Sequence, residues 1–216
     1  LSGAGKTTLV KLICGFYDPD EGAVLLNGVD IRGYNRRDYY KLIAGVFQDF
    51  SVIASSVAVN VAQDAKELDM EKVRDCIEKA GLKKKVESLP QQYETLLDRD
   101  VHRGAVELSG GELQRLMLAR LLYKDSPIVV LDEPTAALDP IAESDIYQRY
   151  NELTRGKSAV FISHRLASTR FCDRILLIED GGIAEEGTPE ELLKNGKRYT
   201  QLFELQSRYY QENGQF

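Results

Sequence analysis

Apolar positions along the chain change their period several times, and each change marks an element. Leu9, Val10, Leu12 and Ile13 follow a glycine-rich start at helical spacing, which predicts a helix with these residues on its buried side. Tyr17-Asp18-Pro19-Asp20-Glu21-Gly22 is turn chemistry. Ala23 to Leu26 reads as a short strand, and Asn27-Gly28 as a tight turn into Val29-Asp30-Ile31. That hairpin signal predicts a small antiparallel layer. Ile43 to Phe47 is another strand, ending at Gln48. From about residue 50 to 126 the character becomes helical: Val73, Cys76, Ile77 and Ala80 recur at helical spacing, and Gly81 is placed to end that helix. Ser109-Gly110-Gly111-Glu112 has the form of a capping box, followed by the apolar stripe Leu113, Leu116, Met117 and Leu121.

The last third of the chain alternates. Ile128-Val129-Val130-Leu131, bounded by Pro127 and Asp132, suits a parallel strand buried on both faces. Asp139-Pro140 opens a helix with Ile146, Tyr150 and Leu153 on one side. Ala159 to Ile162 reads as a second buried strand and Ile175 to Ile178 as a third, which Gly181-Gly182 turns into a short partner. Thr188-Pro189-Glu190-Glu191 is another capping box, and a final helix runs through Tyr199, Leu202 and Phe203 towards Tyr209. Strands alternating with helices imply a parallel α/β core.

Composition narrows the picture only a little. With 216 residues and a 43% apolar fraction the chain holds one large domain, or a domain with a subdomain. Its net charge of −6 argues against nucleic acid as the main partner. Cys14, Cys76 and Cys172 are odd in number and lack metal spacing, which fits a reducing cytosol better than a disulfide framework. No apolar run approaches a membrane span. Lys83 to Lys85 reads as a solvated basic face and His102 as an ordinary surface or loop residue.

The chemistry starts at Leu1. Gly3-Ala4-Gly5-Lys6-Thr7-Thr8 contains the end of a G-x-x-x-x-G-K-[ST] phosphate loop, whose first glycine would lie one residue before Leu1. The chain is therefore expected to be a fragment that begins inside the motif. Glycines let several backbone N–H groups converge on one anion, and the following helix adds its positive end. Lys6 can place an ammonium between the β- and γ-phosphates of a nucleotide, and Thr7 can offer a hydroxyl to Mg²⁺. The alternative is a glycine-rich turn that merely caps a helix. Asp132-Glu133 ends an apolar strand, where α/β sheets place their ligands. Asp132 could hold Mg²⁺ through its water shell and Glu133 could polarise a water, although such a pair can also simply cap a helix or turn after the strand. Two glycines just inside a helix start, Gly110 and Gly111, are poor helix formers, and the exposed N–H groups there suit a phosphate.

Leu108 to Arg115 resembles the signature motif of ATP-binding cassette (ABC) ATPases, and the likeness continues in order through the chain. Gly5-Lys6-Thr7-Thr8 looks like the Walker A end, Gln48 like the Q-loop glutamine, and Ile128 to Glu133 like Walker B with its catalytic glutamate. Ala137-Leu138-Asp139-Pro140 looks like the D-loop, and His164 in Ile162-Ser163-His164-Arg165 like the switch histidine. The resemblance implies a P-loop NTPase (RecA-like) α/β core with a parallel sheet, a small antiparallel layer and an inserted helical subdomain. The core would take residues 1–48 and 127–216, and the subdomain 49–126. It implies ATP and Mg²⁺ as ligands, with Gly3, Ala4, Gly5, Lys6, Thr7 and Thr8 on the phosphates and Thr7, Gln48 and Asp132 on the metal. Glu133 would be the general base, His164 a γ-phosphate ligand, and Gln48 a contact to the metal or attacking water. Ser109, Gly110 and Gly111 would meet the γ-phosphate of ATP bound to an opposing cassette, and Asp139 would communicate across that dimer.

The implied function is the ATPase of a membrane transporter, exporter-like around Phe47 to Ala62 and at the closing helix. The expected partners are a second cassette, identical or different, and a transmembrane domain, at the cytoplasmic face of the membrane. A soluble ABC ATPase acting on the ribosome or DNA, an importer subunit and a non-hydrolysing regulatory cassette are the rivals. Glu112 stands where most of the family has Gln, and 98–104 matches the exporters' short membrane-facing loop only loosely.

Overall fold

The strand-and-helix alternation of the sequence is present in the structure, a computed structural model that describes residues 5–47, 51–66, 68–98, 100–134 and 140–213, the side chains of 140–144, 167–168 and 209–213 excepted. In chain order the elements begin with α1 (Lys6–Ile13), β1 (Leu25–Leu26), β2 (Val29–Asp30), α2 (Arg36–Lys41) and β3 (Ile43–Val46). Four helices follow: α3 (Val57–Ala62), α4 (Met70–Lys79), α5 (Lys83–Glu87) and α6 (Gly110–Lys124). Then come β4 (Ile128–Asp132), α7 (Pro140–Thr154), β5 (Ser158–Ile162), β6 (Ile175–Glu179), β7 (Gly182–Gly187), α8 (Pro189–Asn195) and α9 (Arg198–Asn213). Two compact units result: Leu1–Ile31 with Ile162–Phe216, and Arg32–Phe161.

The unit Arg32–Phe161 is built on a parallel pair. β3 runs beside β4 with Ile43 opposite Ile128 and Val46 opposite Leu131, and β5 lies on the other side of β4. Val129, Val130 and Leu131 are buried, as a strand covered on both faces requires. One hydrophobic core joins Val129 and Leu131 to Val57 and Val61 of α3, Val73 and Ile77 of α4, Leu116 and Met117 of α6, and Ile146 and Tyr150 of α7. Each large side chain removed from water in this way contributes about 1.5–3 kcal/mol. Helix α4 shows why its ends fall where they do. Asp69 Oδ1 accepts from the N–H groups of Glu71 and Lys72 at 3.0 and 3.1 Å, and Val73, Cys76, Ile77 and Ala80 form the buried stripe. Gly81 then turns left-handed at φ +72°, so that Leu82 N–H reaches the Ile77 carbonyl and Gly81 N–H that of Glu78.

In the unit Leu1–Ile31 with Ile162–Phe216, Asn27 and Gly28 take φ +51° and +81° and close the β1–β2 hairpin, the turn the sequence predicts. Helix α1 buries Val10, and Cys14 one turn on is buried too. Leu9 is exposed and Leu12 and Ile13 are half-buried, so the buried side is narrower than the apolar run suggests. A second correction concerns β6. It pairs antiparallel with β7 and, among the described residues, is not joined to the β3–β4–β5 sheet. Beneath this hairpin a small core gathers Ile175, Leu192 and Tyr199, with Leu177 and Phe203 against it. Helix α8 starts at the expected capping box, Thr188 Oγ1 accepting from Glu191 N–H at 3.2 Å and Glu191 Oε2 from Thr188 N–H at 2.9 Å.

Candidate functional site

Phosphate-binding chemistry begins with what α1 lacks. Its N-terminal residue is Gly5, left-handed at φ +87°, with no side chain to accept from the first turn and no carboxylate within it. Helices α6 and α8 satisfy the same positions with a serine or threonine hydroxyl and a glutamate. A helix start of the first kind is suited to an anion. Lys6 is half-buried at this start, and Thr7 and Thr8 are exposed. Gly3, Ala4, Gln48 and Asp139 lie outside the described residues.

In the other unit, β4 ends on Asp132, which is 1% exposed. Neither of its carboxylate oxygens has a hydrogen-bond partner among the described residues. A buried carboxylate in that position calls for a cation or its water shell, and Mg²⁺ fits this donor. The backbone then turns sharply: Glu133 sits at φ +51°, a left-handed conformation that costs a residue with a Cβ about 1–3 kcal/mol. The Glu133 side chain is half-buried.

Ser109 caps α6 as expected. Its Oγ accepts from Glu112 N–H at 3.4 Å and its own N–H donates to Glu112 Oε2 at 2.8 Å. The other oxygen, Oε1, holds Lys85 Nζ at 3.0 Å. The basic run is therefore not all solvated face: Lys83 reaches Glu78, and Lys85 pairs with the Glu112 carboxylate. Burial pushes the Glu112 carboxyl up, but the Ser109 amide and the Lys85 ammonium outweigh it and hold the group below its usual range. A depressed carboxyl adds stability that is complete above its unfolded value near ~4.3 and is lost as pH falls through the folded value. Lys85→Met is expected to lower unfolding stability at pH 7 by up to about 1 kcal/mol. It should also flatten the stability profile below about pH 5. Denaturant midpoints measured at pH 7 and at pH 3.5 check this, and equal profiles for both proteins would remove the pair.

Further along α6, Arg115 Nη2 and Arg149 Nε both meet Asp145 Oδ2, at 3.1 and 3.2 Å. Arg149 Nη1 donates to the Lys79 carbonyl at 2.7 Å and Arg115 Nη1 to that of Ala80 at 3.5 Å. The last turn of α4 is thus tied to the signature helix and to α7 by two cations suited to its negative end.

Two side chains without any motif organise the segment after Gln48. Asn60 is fully buried. Its Oδ1 accepts from Ile53 N–H at 2.8 Å, and its Nδ2 donates to the carbonyls of Ile53, Ser55 and Ser56. Arg120 of α6 clasps this hub through Asn60 O and Oδ1, both at 2.6 Å, and through Ser51 O at 3.0 Å. Burial among these neutral acceptors lowers the guanidinium to about 10. His102 is a loop residue, as expected, and is half-buried, with Nε2 3.3 Å from Ala54 O.

His164 follows β5 and is exposed. Its turn is held by Ser163 Oγ, which accepts from Arg165 N–H at 2.9 Å, and by Gln206 of α9, whose amide reaches the His164 carbonyl and the Leu166 N–H. Sequence reasoning gave no role to Arg120 or Gln206, noticed Asn60 only as part of the exporter-like stretch from Phe47 to Ala62, and noticed Lys85 only within its basic run.

Residues 1–136 match the ABC transporter family. The chain is 39% identical over 207 residues to the mycobactin import ATP-binding/permease protein IrtA of Mycolicibacterium smegmatis, covering 96% of this chain and 24% of that protein. It is 41% identical over 205 residues to the ATP-dependent lipid A-core flippase of Chromohalobacter salexigens, covering 95% and 35%. The chain thus spans about a quarter to a third of the length of these relatives. A bacterial Atm1-family ABC exporter solved with ATP bound superposes with a TM-score of 0.85 at 32% identity, covering 95% of this chain and 35% of that one.

Proposed function

Because the chain belongs to the ABC transporter family, we propose that it is the ATP-binding and ATP-hydrolysing cassette of a membrane transporter, moving its cargo outward. The observation that carries this reading is the buried carboxylate of Asp132 at the end of β4, without a hydrogen-bond partner among the described residues and followed at once by Glu133 in a strained backbone. Lys6, Thr7 and Thr8, with Gly3, Ala4 and Gly5, bind the phosphates of ATP. Thr7, Gln48 and Asp132 hold Mg²⁺, which when bound neutralises phosphate charge as a Lewis acid. Glu133 accepts the proton of the water that attacks the γ-phosphate, and ADP leaves as the β–γ bridge breaks. His164 hydrogen-bonds the γ-phosphate. Ser109, Gly110 and Gly111 meet the γ-phosphate of ATP held by a second cassette, and Asp139 relays between the two. Residues 49–126 act as the helical subdomain that faces the membrane domain, with 1–48 and 127–216 as the nucleotide-binding core.

Attachment through a transmembrane domain places the cassette on the cytoplasmic face; among the described residues no helix is long and apolar enough to cross a membrane. The likeness to a solved exporter supports outward transport. A relative named for import shares the same cassette, so inward transport is the second reading. The test is phosphate release from Mg·ATP by the full-length protein in lipid vesicles beside a Lys6→Ala variant. Loss of one charged contact to the phosphates is expected to lower kcat/KM at least ~100-fold. Equal turnover in the two proteins would remove the assignment; with ATP supplied outside the vesicles, cargo entering the lumen means outward transport, and cargo leaving a preloaded lumen means inward transport.

A further inference from the structure

After β5 ends at Ile162, the backbone of the 163–166 turn has left its sheet. Two of its polar groups are nevertheless paired, and by a single side chain. Leu166 N–H donates to Gln206 Oε1 at 2.9 Å, and Gln206 Nε2 donates to the His164 carbonyl. These groups, two residues apart, are offered to α9 as an acceptor followed by a donor. A carboxamide matches them in one orientation only, with nitrogen towards His164 and oxygen towards Leu166. Neither a carboxylate nor an alkyl chain of the same length can do so.

The helix that presents Gln206 is itself fixed. Tyr199 and Phe203 lie two turns and one turn before it on the same face, and both pack into the small core with Leu192 and Ile175. Tyr199 is 1% exposed, its hydroxyl is 2.7 Å from Thr169 Oγ1, and its N–H donates to Glu185 Oε1 at 3.0 Å. Thr169 in turn donates to the Leu166 carbonyl at 2.6 Å. Helix α9 therefore grips the segment after β5 at Thr169 and, through Gln206, at Leu166 and His164.

We infer that Gln206 is a positioning residue for His164: the closing helix sets the backbone from which the histidine reaches the γ-phosphate. The inference rests on the reading of His164 as a γ-phosphate ligand. Gln206 touches no reacting atom, and its effect passes through the turn. A misplacement of about 1 Å at such a ligand can cost roughly 100-fold in rate without weakening the ground-state complex.

The experiment uses the full-length protein with Gln206→Leu, Gln206→Glu, His164→Ala and the Gln206→Leu/His164→Ala double variant. Gln206→Leu is expected to lower kcat about 10- to 100-fold, to leave ATP affinity within about twofold, and to add nothing in the His164→Ala background. Gln206→Glu keeps the acceptor for Leu166 and loses the donor for His164, so an intermediate kcat is expected. It also serves if the leucine variant folds poorly. Hydrogen exchange at the Leu166 amide should quicken in Gln206→Leu. An unchanged kcat in Gln206→Leu, or an equal further loss in the double variant, overturns the inference. If His164→Ala keeps full kcat, the reading of His164 fails by itself, and quickened exchange at Leu166 then shows an anchor with no part in the reaction.

Discussion

Glu133→Gln lowers ATP turnover by about 10²–10⁴-fold, the range expected when a positioned general base is lost. The substitution keeps the length and branching of the side chain, so the left-handed backbone at φ +51° is asked to do nothing new. Stability should change by less than about 1 kcal/mol, since the amide keeps the size and shape of the half-buried side chain. Nucleotide binding should be retained, because the groups proposed to bind the phosphates, Lys6, Thr7 and Thr8, are untouched. The variant should accumulate in its ATP-bound form, read as unhydrolysed nucleotide that co-elutes with the protein. Single-turnover phosphate release separates chemistry from product release. A rate within about threefold of the parent would move the base elsewhere, and loss of nucleotide binding would show that Glu133 serves the fold first.

Asp132→Asn should act in opposite directions on the bare and the loaded protein. Both Asp132 oxygens are buried without a hydrogen-bond partner among the described residues, an arrangement that costs several kcal/mol for a charge and about 1–3 kcal/mol for a neutral amide. Removing the charge is expected to raise the melting temperature of the nucleotide-free protein by about 3–6 °C, from a gain of roughly 1–2 kcal/mol. Mg·ATP at about a hundred times its dissociation constant stabilises the parent by about 2.7 kcal/mol. The Mg²⁺-dependent part of that gain should vanish in the variant, while any effect of ATP with a chelator persists. A lower melting point for the bare variant would mean that the carboxylate has a partner, and an intact Mg²⁺ effect would take Asp132 out of the metal site.

Much of this architecture was legible because local chemistry and the tertiary fold agree. Asn27-Gly28 could only turn tightly, Gly81 could only end α4, and two capping boxes marked helix starts to the residue. The run Ile128 to Leu131 announced a strand buried on both faces. The similar run Ile175 to Ile178 did not, since a short apolar stretch carries no sign of its pairing partner. It forms half of an antiparallel hairpin, with Leu176 exposed. The motifs that place the chain in its family were equally readable, because phosphate chemistry restricts residue types at fixed spacing. The residues that hold the site in place were not. Arg120 meets Asn60 across 60 positions and Gln206 meets Leu166 across 40. Each contact joins a side chain to distant backbone, which leaves no periodicity to find. Lys85 was visible only as one of three lysines, with Glu112 still far off in sequence.

The backbone at Glu133 bears on how this cassette can drift. A left-handed position favours glycine or asparagine, so the residue proposed to take the proton occupies a site where its own replacement relieves strain. Selection for robustness alone, in a laboratory screen or in a gene copy freed from its task, would find Glu133→Gly among its early gains and would silence the motor in the same step. Folded, abundant and inert descendants are then the expected end of neglect at this position.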